Sequence, residues 1–273
     1  MQTPVIERSV LTIAGSDSCG GSGIQADMNT FAAFGVYGAS VVTAVTARNT
    51  LDTQAVESVS DRIIVDQIES VLADLPICAI KTGMLPSIPG IAVLGEILEQ
   101  QNPHIPMVVD PVVIEPTGME LSGEMTLKAV RNHLFPLATV ITPNREEAQV
   151  LTGMSIKNMK DMESAARELL NQGPAAVFLK GGQFGANEIA DILLTADDLY
   201  TFRHSVFEGR FHGTGCALSS AVAAGLALDK PLPEAVREAI DYVQDCLRNS
   251  RAPVKGHLGL LGHKPVVFNQ SVQ

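Results

Sequence analysis

Short aliphatic runs alternate with longer amphipathic segments along most of the chain. Residues 10–14 and 175–180 are runs of the first kind, whereas residues 62–75 carry apolar side chains at helical spacing. Strands buried on both faces have nearly continuous apolar sequences, and strand–helix units repeated about every 30 residues build a parallel sheet covered by helices. The sequence therefore predicts an α/β fold with a mainly parallel central sheet.

The predicted elements follow each other in that alternation. Strands are predicted at residues 10–14, 40–46, 78–81, 106–110, 138–142 and 175–180, with a hairpin at 189–194 and 199–204. Helices are predicted at residues 24–34, 62–75, 91–100, 124–134, 145–151, 159–172, 216–227 and 234–249. Ligands bind such sheets beyond the carboxyl ends of the strands. The distinctive residues lie at those ends, at 15–23, 81–84, 110–118, 142–147 and 180–182.

The 273 residues are predicted to form one domain, with a core at about residues 9–250 and a less regular tail at 252–273. The net charge is −11, and the acidic residues are scattered rather than clustered. Such a surface repels nucleic acids and anionic membranes, so neither is expected as a partner. Because it also repels ATP at long range, a nucleotide site here must be built from local donors such as helix N-termini and a few cations.

The cysteines indicate a reducing compartment. Cys19, Cys78, Cys216 and Cys246 form no Cys-x-x-Cys pair, so we expect free thiols. The N-terminal segment lacks the basic start and apolar run of a signal peptide, and no apolar stretch of about 20 residues is present. These features predict a cytoplasmic protein.

The strongest motif is Gly213-Thr214-Gly215-Cys216, which precedes a helix of small residues. Two glycines before a helix let several backbone amides point at one place, where the helix dipole adds positive potential. This arrangement predicts an anion hole for a transferring phosphoryl group. The same dipole is expected to lower the pKa of Cys216. The alternatives are a glycine turn that only packs the helix, and an inert core cysteine.

The glycine-rich loop at residues 15–23 follows the first strand. It contains neither a Gly-x-Gly-x-x-Gly fingerprint nor the lysine of a P-loop. We expect Asp17 to accept hydrogen bonds from a substrate, and Gly20 and Gly21 to let the backbone approach a ligand or to act as a hinge. The alternative is a loop that only caps the following helix.

Polar side chains also follow three later strands. Asp110 ends one strand, and Asn144 and Glu147 begin the helix after another. Oxygen atoms in such positions suit Mg²⁺ bound to phosphates, although helix capping is the alternative. Lys180, at the end of a further strand, is predicted to reach a phosphate, unless it merely extends into solvent at the edge of the sheet.

Taken in order, these segments resemble the hydroxymethylpyrimidine/phosphomethylpyrimidine kinases of thiamine biosynthesis, within the ribokinase superfamily. The resemblance covers residues 11–248 and rests on LTIAGSDSCGGSGIQAD, FGVYGASVVTAVTARNT, KTGML, VVDPVV, PLATVITPNREEA, FLKGGQ, ADILL and HGTGC. It implies a ribokinase-like three-layer α/β/α sandwich and a homodimer. It also implies transfer of the ATP γ-phosphoryl group to 4-amino-5-hydroxymethyl-2-methylpyrimidine, to its monophosphate, or to both.

The resemblance also implies a role for each site residue, with ATP and Mg²⁺ as cofactors. Cys216 takes the catalytic-base position in an anion hole of Gly213, Thr214 and Gly215. A phosphate nucleophile is already ionised, however, so for that substrate Cys216 has mainly a positioning role. Among the remaining residues, Lys180, Asn144 and Thr142 are expected to contact ATP, Asp110 and Glu147 to hold Mg²⁺, and Asp17, Gly20, Gly21, Arg48, Met84 and Val113 to line the pyrimidine pocket.

This chain departs from the family pattern in three places. Arg48 stands where relatives carry Gln, and an arginine cannot accept a hydrogen bond from the ring. We hypothesise that Arg48 binds the phosphate of the monophosphate substrate, the alternative being that it turns outward. Glu115 and Pro116 replace a small residue and a lysine, and Arg210-Phe211 replaces polar residues.

Two other functions stay open from the sequence. KTGML at residues 81–85 also resembles the pyridoxal kinases of the same branch, so a pyridoxal or pyridoxine kinase is one alternative. A non-catalytic protein that binds a pyrimidine is the other. The complete GTGC, Asn144, Glu147 and Lys180 argue against the second alternative.

Overall fold

The computed structural model describes residues 6–101, 105–112, 123–184, 188–253 and 255–265. Its strands are β1 (Ser9–Asp17), β2 (Tyr37–Arg48), β3 (Thr53–Ser58), β4 (Ile77–Thr82), β5 (Met107–Val109), β6 (Val140–Ile141), β7 (Ala176–Gly182), β8 (Glu188–Thr195), β9 (Leu199–Ser205), β10 (Arg210–His212) and β11 (Leu258–Leu260). Its α-helices are α1 (Gly23–Ala33), α2 (Asp61–Asp74), α3 (Ile88–Gln101), α4 (Glu124–His133), α5 (Arg145–Thr152), α6 (Met159–Leu170), α7 (Thr214–Ala227) and α8 (Leu232–Arg248), and a 3-10 helix spans Phe135–Leu137.

Nine strands form one sheet in the order β3-β2-β1-β4-β5-β6-β7-β8-β9. The strands from β2 to β7 in this order run parallel, whereas β3, β8 and β9 each pair antiparallel with their neighbour. Helices α2 to α6 cover one face and α1, α7 and α8 the other, each with its own apolar core. The predicted three-layer α/β/α sandwich is therefore confirmed.

The helices covering the two faces have different sequences for a physical reason. In α7 ten residues are buried, because it lies against the sheet and is itself covered by α1 and α8. Small side chains allow that close packing, and a Cβ at Gly225 would lie 2.7 Å from the Cβ of Ala235 on α8. Helix α8 is amphipathic, with one apolar stripe toward the core.

Several predicted boundaries were wrong. The first strand continues past Ala14 to Asp17, because Ser16 and Asp17 still pair with β2. Strand β3 was missed, since most of its side chains are exposed and give no apolar run. The less regular tail contributes β11, which pairs in parallel with β10. Within the described residues, no helix combines the length and apolar character needed to cross a membrane.

Candidate functional site

The N-terminus of α7 faces the carboxyl ends of the central strands. Gly213 precedes the helix with φ = 81°, a left-handed conformation that favours glycine. A Cβ on Gly215 would lie 3.7 Å from Lys180 Nζ and 3.9 Å from Asp110 Oδ2. Parallel strands end at the same edge of the sheet, so residues far apart in sequence meet at this helix terminus. The structure thus brings three of the predicted site residues together.

The first amides of α7 are free to bind a ligand. Within the described chain, no oxygen accepts a hydrogen bond from the amides of Thr214, Gly215 or Cys216, and the first helical bond runs from Ala217 N to Gly213 O. Unpaired amides at a helix start form an anion-binding site. Because these amides lie beside Lys180, an anion there would meet both a fixed dipole and a mobile cation.

Three side chains contact the carboxylate of Asp110 at this helix terminus. Its Oδ1 accepts a hydrogen bond from Thr142 Oγ1 at 3.0 Å and lies 3.4 Å from Lys180 Nζ. Its Oδ2 accepts from Ser219 Oγ, also at 3.0 Å. Thr142 is wholly buried, so its contacts support positioning of Asp110 rather than the predicted contact with ATP. Ser219, on α7, was not predicted from the sequence.

The predicted lowering of the Cys216 pKa was wrong in direction. Burial raises the pKa of Cys216 to about 11. The positive charge of Lys81 lowers this pKa, but the carboxylates of Asp27 and Asp110 add to the rise, so the net shift is upward. The side chain keeps part of its surface exposed, yet protein atoms surround most of it. With its pKa raised in this way, Cys216 is expected to be mainly a neutral thiol near pH 7.

A buried ion pair lies behind Cys216. Lys81 Nζ contacts Asp27 Oδ1 at 2.9 Å, and both side chains are fully buried. Thr12 and Ser220 donate to the same carboxylate at 2.6 and 2.7 Å. Burial disfavours the charge on Lys81, but Asp27 together with Cys216 and Asp110 raises its pKa above the usual range. Sequence reasoning missed Asp27; the available signal was a carboxylate next to apolar residues on the buried face of the helix.

The glycine-rich loop is held by Asp17. Its carboxylate contacts His212 Nε2 at 2.7 Å and accepts from the amides of Cys19 and Ser22. Burial alone would raise the pKa of Asp17, but these hydrogen bonds lower it to about 2. The side chain is 3 % exposed, so its contacts support shaping of the loop rather than the predicted hydrogen bond to substrate.

The loop contacts the turn before α7 so closely that side chains are excluded. A Cβ on Gly213 would lie 1.8 Å from Gly21 O, and a Cβ on Gly21 would lie 2.4 Å from His212 Cδ2. Gly20 has φ = 78° and open space around it. Gly21 therefore lies against protein atoms, whereas Gly20 leaves the backbone accessible, and close approach of a ligand at either glycine stays a prediction.

Two further residues that were predicted to line the pocket, Met84 and Arg48, lie beside this loop. Met84 is half-buried, and a Cβ on Gly15 would lie 2.4 Å from its Cε. The Arg48 amide donates to Ser18 Oγ and the Ser18 hydroxyl donates to Arg48 O, each at 2.8 Å, which joins the end of β2 to the loop. Val113, Glu115 and Pro116 lie outside the described residues.

Asn144 and Glu147 form a capping box at the start of α5. Asn144 Oδ1 accepts from Glu147 N and Glu147 Oε2 accepts from Asn144 N, each at 2.8 Å. The capping alternative is thus confirmed for this pair. Among the described residues, no group of three or more His, Cys, Asp or Glu side chains lies close enough to hold a metal ion. One or two carboxylates, such as Asp110, suit Mg²⁺ that arrives with phosphates.

Comparison with known proteins gives consistent results. The family model described as phosphomethylpyrimidine kinase matches residues 17–260. The chain is 41 % identical over 255 residues to hydroxymethylpyrimidine/phosphomethylpyrimidine kinase of Synechococcus elongatus, covering 93 % of this chain and 96 % of the relative. It spans about half the length of bifunctional thiamine-biosynthesis relatives from rice and Geobacter sulfurreducens, 46 % and 52 %.

Solved structures of two activities resemble the fold. Phosphomethylpyrimidine kinase from Clostridium difficile has a TM-score of 0.78 and 42 % identity, covering 87 % of this chain and 98 % of that one. Pyridoxal kinase from Staphylococcus aureus in complex with ADP has a TM-score of 0.85 and 32 % identity, covering 94 % of each chain.

Proposed function

The chain belongs to the phosphomethylpyrimidine kinase family, and we propose that it transfers the γ-phosphoryl group of ATP to 4-amino-5-hydroxymethyl-2-methylpyrimidine, to its monophosphate, or to both, in thiamine biosynthesis. The observation that carries this proposal is the set of free amides at the start of α7, beside Lys180 and Asp110. Charge that develops on a transferring phosphoryl group is stabilised by such fixed donors.

The side chains around those amides have separate roles. The contact between Lys180 Nζ and Asp110 Oδ1 is long, at 3.4 Å. Lys180 therefore leaves Asp110 when ATP binds and contacts the ATP phosphates instead. Asn144 lies beside Lys180 on the neighbouring strand end and is positioned to contact the same nucleotide. Asp110 and Glu147 hold Mg²⁺ directly or through water, and the bound ion neutralises phosphate charge.

Cys216 acts mainly by position. With the pKa of its thiol raised to about 11, the thiolate fraction near pH 7 is small, which supports hydrogen bonding to the nucleophile rather than full proton removal. A general base matters more for the alcohol than for the monophosphate, because the phosphate nucleophile is already ionised.

The decisive experiment is an ATP-coupled assay of the pyrimidine alcohol, its monophosphate and pyridoxal in parallel. We expect turnover of at least one pyrimidine substrate with a higher kcat/KM than for pyridoxal. Cys216→Ala should lower kcat. If Cys216 is a general base, the loss should be about 100-fold or more on the alcohol and smaller on the monophosphate; if Cys216 only positions the substrate, the loss should be equal on both substrates. Cys78→Ala, near the amino end of β4 and thus at the opposite end of that strand from Lys81 and the start of α7, is the control. Absence of turnover on any of these compounds would support a non-catalytic binding protein instead.

Pyridoxal phosphorylation is the second candidate. It is favoured by the TM-scores of 0.84 and 0.85 to pyridoxal kinases from S. aureus, one in complex with pyridoxal. The identity is lower, 33 % and 32 %, than the 42 % to the C. difficile phosphomethylpyrimidine kinase. A higher kcat/KM for pyridoxal than for either pyrimidine would establish this function in place of the first.

Arg48 is proposed to bind the phosphate of the monophosphate substrate. Burial and Asp17 raise the pKa of the Cys19 thiol and the charge of Arg48 opposes that rise, so the guanidinium lies near the loop. Arg48→Gln should lower kcat/KM for the monophosphate relative to the alcohol by about 10-fold. Arg203→Gln, which loses only an exposed contact to Glu188, is the matched control. An unchanged ratio of the two substrates in Arg48→Gln contradicts the assignment.

We further propose one kinase domain, with its core at residues 9–250 and the tail at 252–273, which acts in the cytoplasm as a homodimer. A single family match over residues 17–260 supports the first point, and four free cysteines support a reducing compartment. Exposed apolar side chains on the β2–β3 edge, among them Val45 and Val56, support association of two copies.

A further inference from the structure

Strand β7 contains a bulge next to the phosphate-binding amides. Leu179 pairs with Ile192 on β8 and Gly182 pairs with Ala190, so three steps along β7 oppose two along β8. The additional residue falls at Lys180-Gly181, where Gly181 has φ = 85°. Bulges of this kind redirect a side chain and leave a backbone group without its partner in the ladder. Here the redirected side chain is that of Lys180, which points at Asp110 and the start of α7.

The backbone amide that the bulge leaves without a backbone partner on β8 donates a hydrogen bond to a buried carboxylate. Gly181 N donates to Asp191 Oδ1 at 2.7 Å, and Asp191, on β8, is 2 % exposed. A buried amide without an acceptor is destabilising, so this contact stabilises the bulged conformation over a regular strand. Asp191 belongs to the ADILL segment and touches none of the residues proposed to meet substrate directly.

Two further side chains fix the orientation of Asp191. His204 Nε2 lies 2.9 Å from Asp191 Oδ2, and Gln244 Nε2 lies 3.0 Å from His204 Nδ1. The Gln244 amide nitrogen, which also donates to Ser205 O, can only donate, so Nδ1 of His204 accepts and Nε2 carries the proton toward Asp191. The chain of contacts runs from α8 through β9 and β8 to the bulge in β7.

We propose that Asp191 is a positioning residue for phosphoryl transfer: by holding Gly181 N it maintains the bulge that directs Lys180 at the anion site, with His204 and Gln244 orienting it. The inference rests on the proposed function, because it assigns Asp191 an effect through a lysine that binds ATP. Displacement of a phosphate-binding group by about 1 Å can cost 100-fold in rate, so a carboxylate that acts only through the backbone beside Lys180 has a measurable effect.

A double-mutant cycle with Lys180 tests this. Asp191→Ala should lower kcat/KM for ATP by about 10-fold or more in the otherwise unchanged enzyme, but by less than about 2-fold in a Lys180→Met background. Leu193→Ala, a buried truncation on the same strand and the same face, is the control for lost stability and should leave kcat/KM for ATP unchanged below its unfolding temperature. Equal losses from Asp191→Ala in both backgrounds would overturn the proposal.

A second variant and an activity-independent measurement keep the test decisive if Asp191→Ala does not fold. Asp191→Asn retains an oxygen for Gly181 N but turns its amide nitrogen toward the Nε2 proton of His204, so its kcat/KM for ATP should fall by less than that of Asp191→Ala. The Gly181 amide should exchange slowly with solvent in the unchanged enzyme and in Asp191→Asn. Fast Gly181 exchange in the unchanged enzyme, or an Asn variant as impaired as Lys180→Met, contradicts the proposal. If the unchanged enzyme phosphorylates nothing, the proposed function fails, whereas the exchange measurement still decides whether Asp191 holds the bulge.

Discussion

Two lysine–carboxylate pairs lie under the start of α7, and they differ in ways that suit different tasks. Lys81 and Asp27 are 2.9 Å apart and fully buried, and the hydroxyls of Thr12 and Ser220 donate hydrogen bonds to the same carboxylate. Lys180 and Asp110 are 3.4 Å apart, and Lys180 keeps 11 % of its side chain exposed. The first pair is a fixed neutral unit, because a buried charge without its partner is costly. The contact of Lys180 with Asp110 is weak enough for Lys180 to exchange the carboxylate for a phosphate.

Methionine substitutions separate the two lysines. Lys81→Met should lower the free energy of unfolding by about 3–5 kcal/mol, since Asp27 is left buried and unpaired, and adding Asp27→Leu should recover most of it. Lys180→Met should cost only about 1–2 kcal/mol, because Asp110 keeps its hydrogen bonds from Thr142 and Ser219, and should mainly raise KM for ATP. Urea unfolding followed by far-UV circular dichroism measures the first effect and steady-state kinetics the second. Equal stability losses would contradict the distinction.

The Asp17–His212 contact predicts a pH dependence of stability. The folded pKa of Asp17 is lowered from 3.8 to about 2, so its contribution is present above pH 4 and is lost as pH falls through 2. The shift corresponds to roughly 2 kcal/mol at neutral pH. Asp17→Asn should therefore be less stable than the unchanged protein by about that amount at pH 6, with the difference shrinking by pH 2.5. Urea unfolding at both pH values measures this, and a constant difference would contradict it.

At the scale of elements, the parts predicted best were those whose signal is local. The buried strands and α7 are indicated by apolar or small-residue runs, and the residues at strand ends were correctly expected at one edge. The continuation of β1 through Ser16 and Asp17 was not predicted, because these polar residues form a strand only through their pairing with β2. The bulge at Gly181 likewise depends on pairing with β8 that local patterns do not specify, whereas the capping box of α5 is local and was the stated alternative for Asn144 and Glu147.

Glycine substitutions at the loop and at the α7 turn should have different effects. Gly20 and Gly213 both have left-handed φ values, but only Gly213 lacks space, because a Cβ there would lie 1.8 Å from Gly21 O. Gly20→Ala should cost about 1–2 kcal/mol from backbone strain alone. Gly213→Ala must also displace the loop, so we expect a larger loss of stability and a fall in kcat/KM of about 100-fold or more. Thermal unfolding and kinetics of both variants measure this; similar effects would contradict it.

At the scale of the whole molecule, the site is assembled by contacts between distant segments. His212 meets Asp17 across 195 positions of sequence, and Ser220 meets Asp27 across 193. Parallel topology explains why strand ends converge, and that much follows from the sequence pattern. Which polar side chain pairs with which depends on register and on the crossing of α7 over the sheet, so Asp27, Ser219, Ser220 and His212 emerged only from the structure. The raised pKa of Cys216 has the same origin, since its causes lie on other elements.

The β2–β3 edge of the sheet exposes apolar side chains to solvent. Beyond Thr53 every residue of β3 is exposed, and Val45 and Val56 expose 52 % and 43 % of their surface. An edge strand with exposed apolar residues is a surface that a second chain can cover. The proposed dimer should therefore depend on this edge. Val45→Lys and Val56→Lys would each place a charge in a buried interface, which costs about 2 kcal/mol or more when unpaired.

Light scattering coupled to size exclusion tests the dimer directly. The unchanged protein should give about twice the chain mass of 28.9 kDa, and Val45→Lys and Val56→Lys should shift it toward the monomer at low micromolar concentration. Val150→Lys is the matched control, because Val150 on α5 is 51 % exposed yet lies away from β2 and β3. A monomeric unchanged protein, or a dimer insensitive to both edge variants, would show that these apolar side chains are not the contact. Dissociation by Val150→Lys would instead place the contact on the α5 side, since charge at an exposed position matters only where a partner covers it.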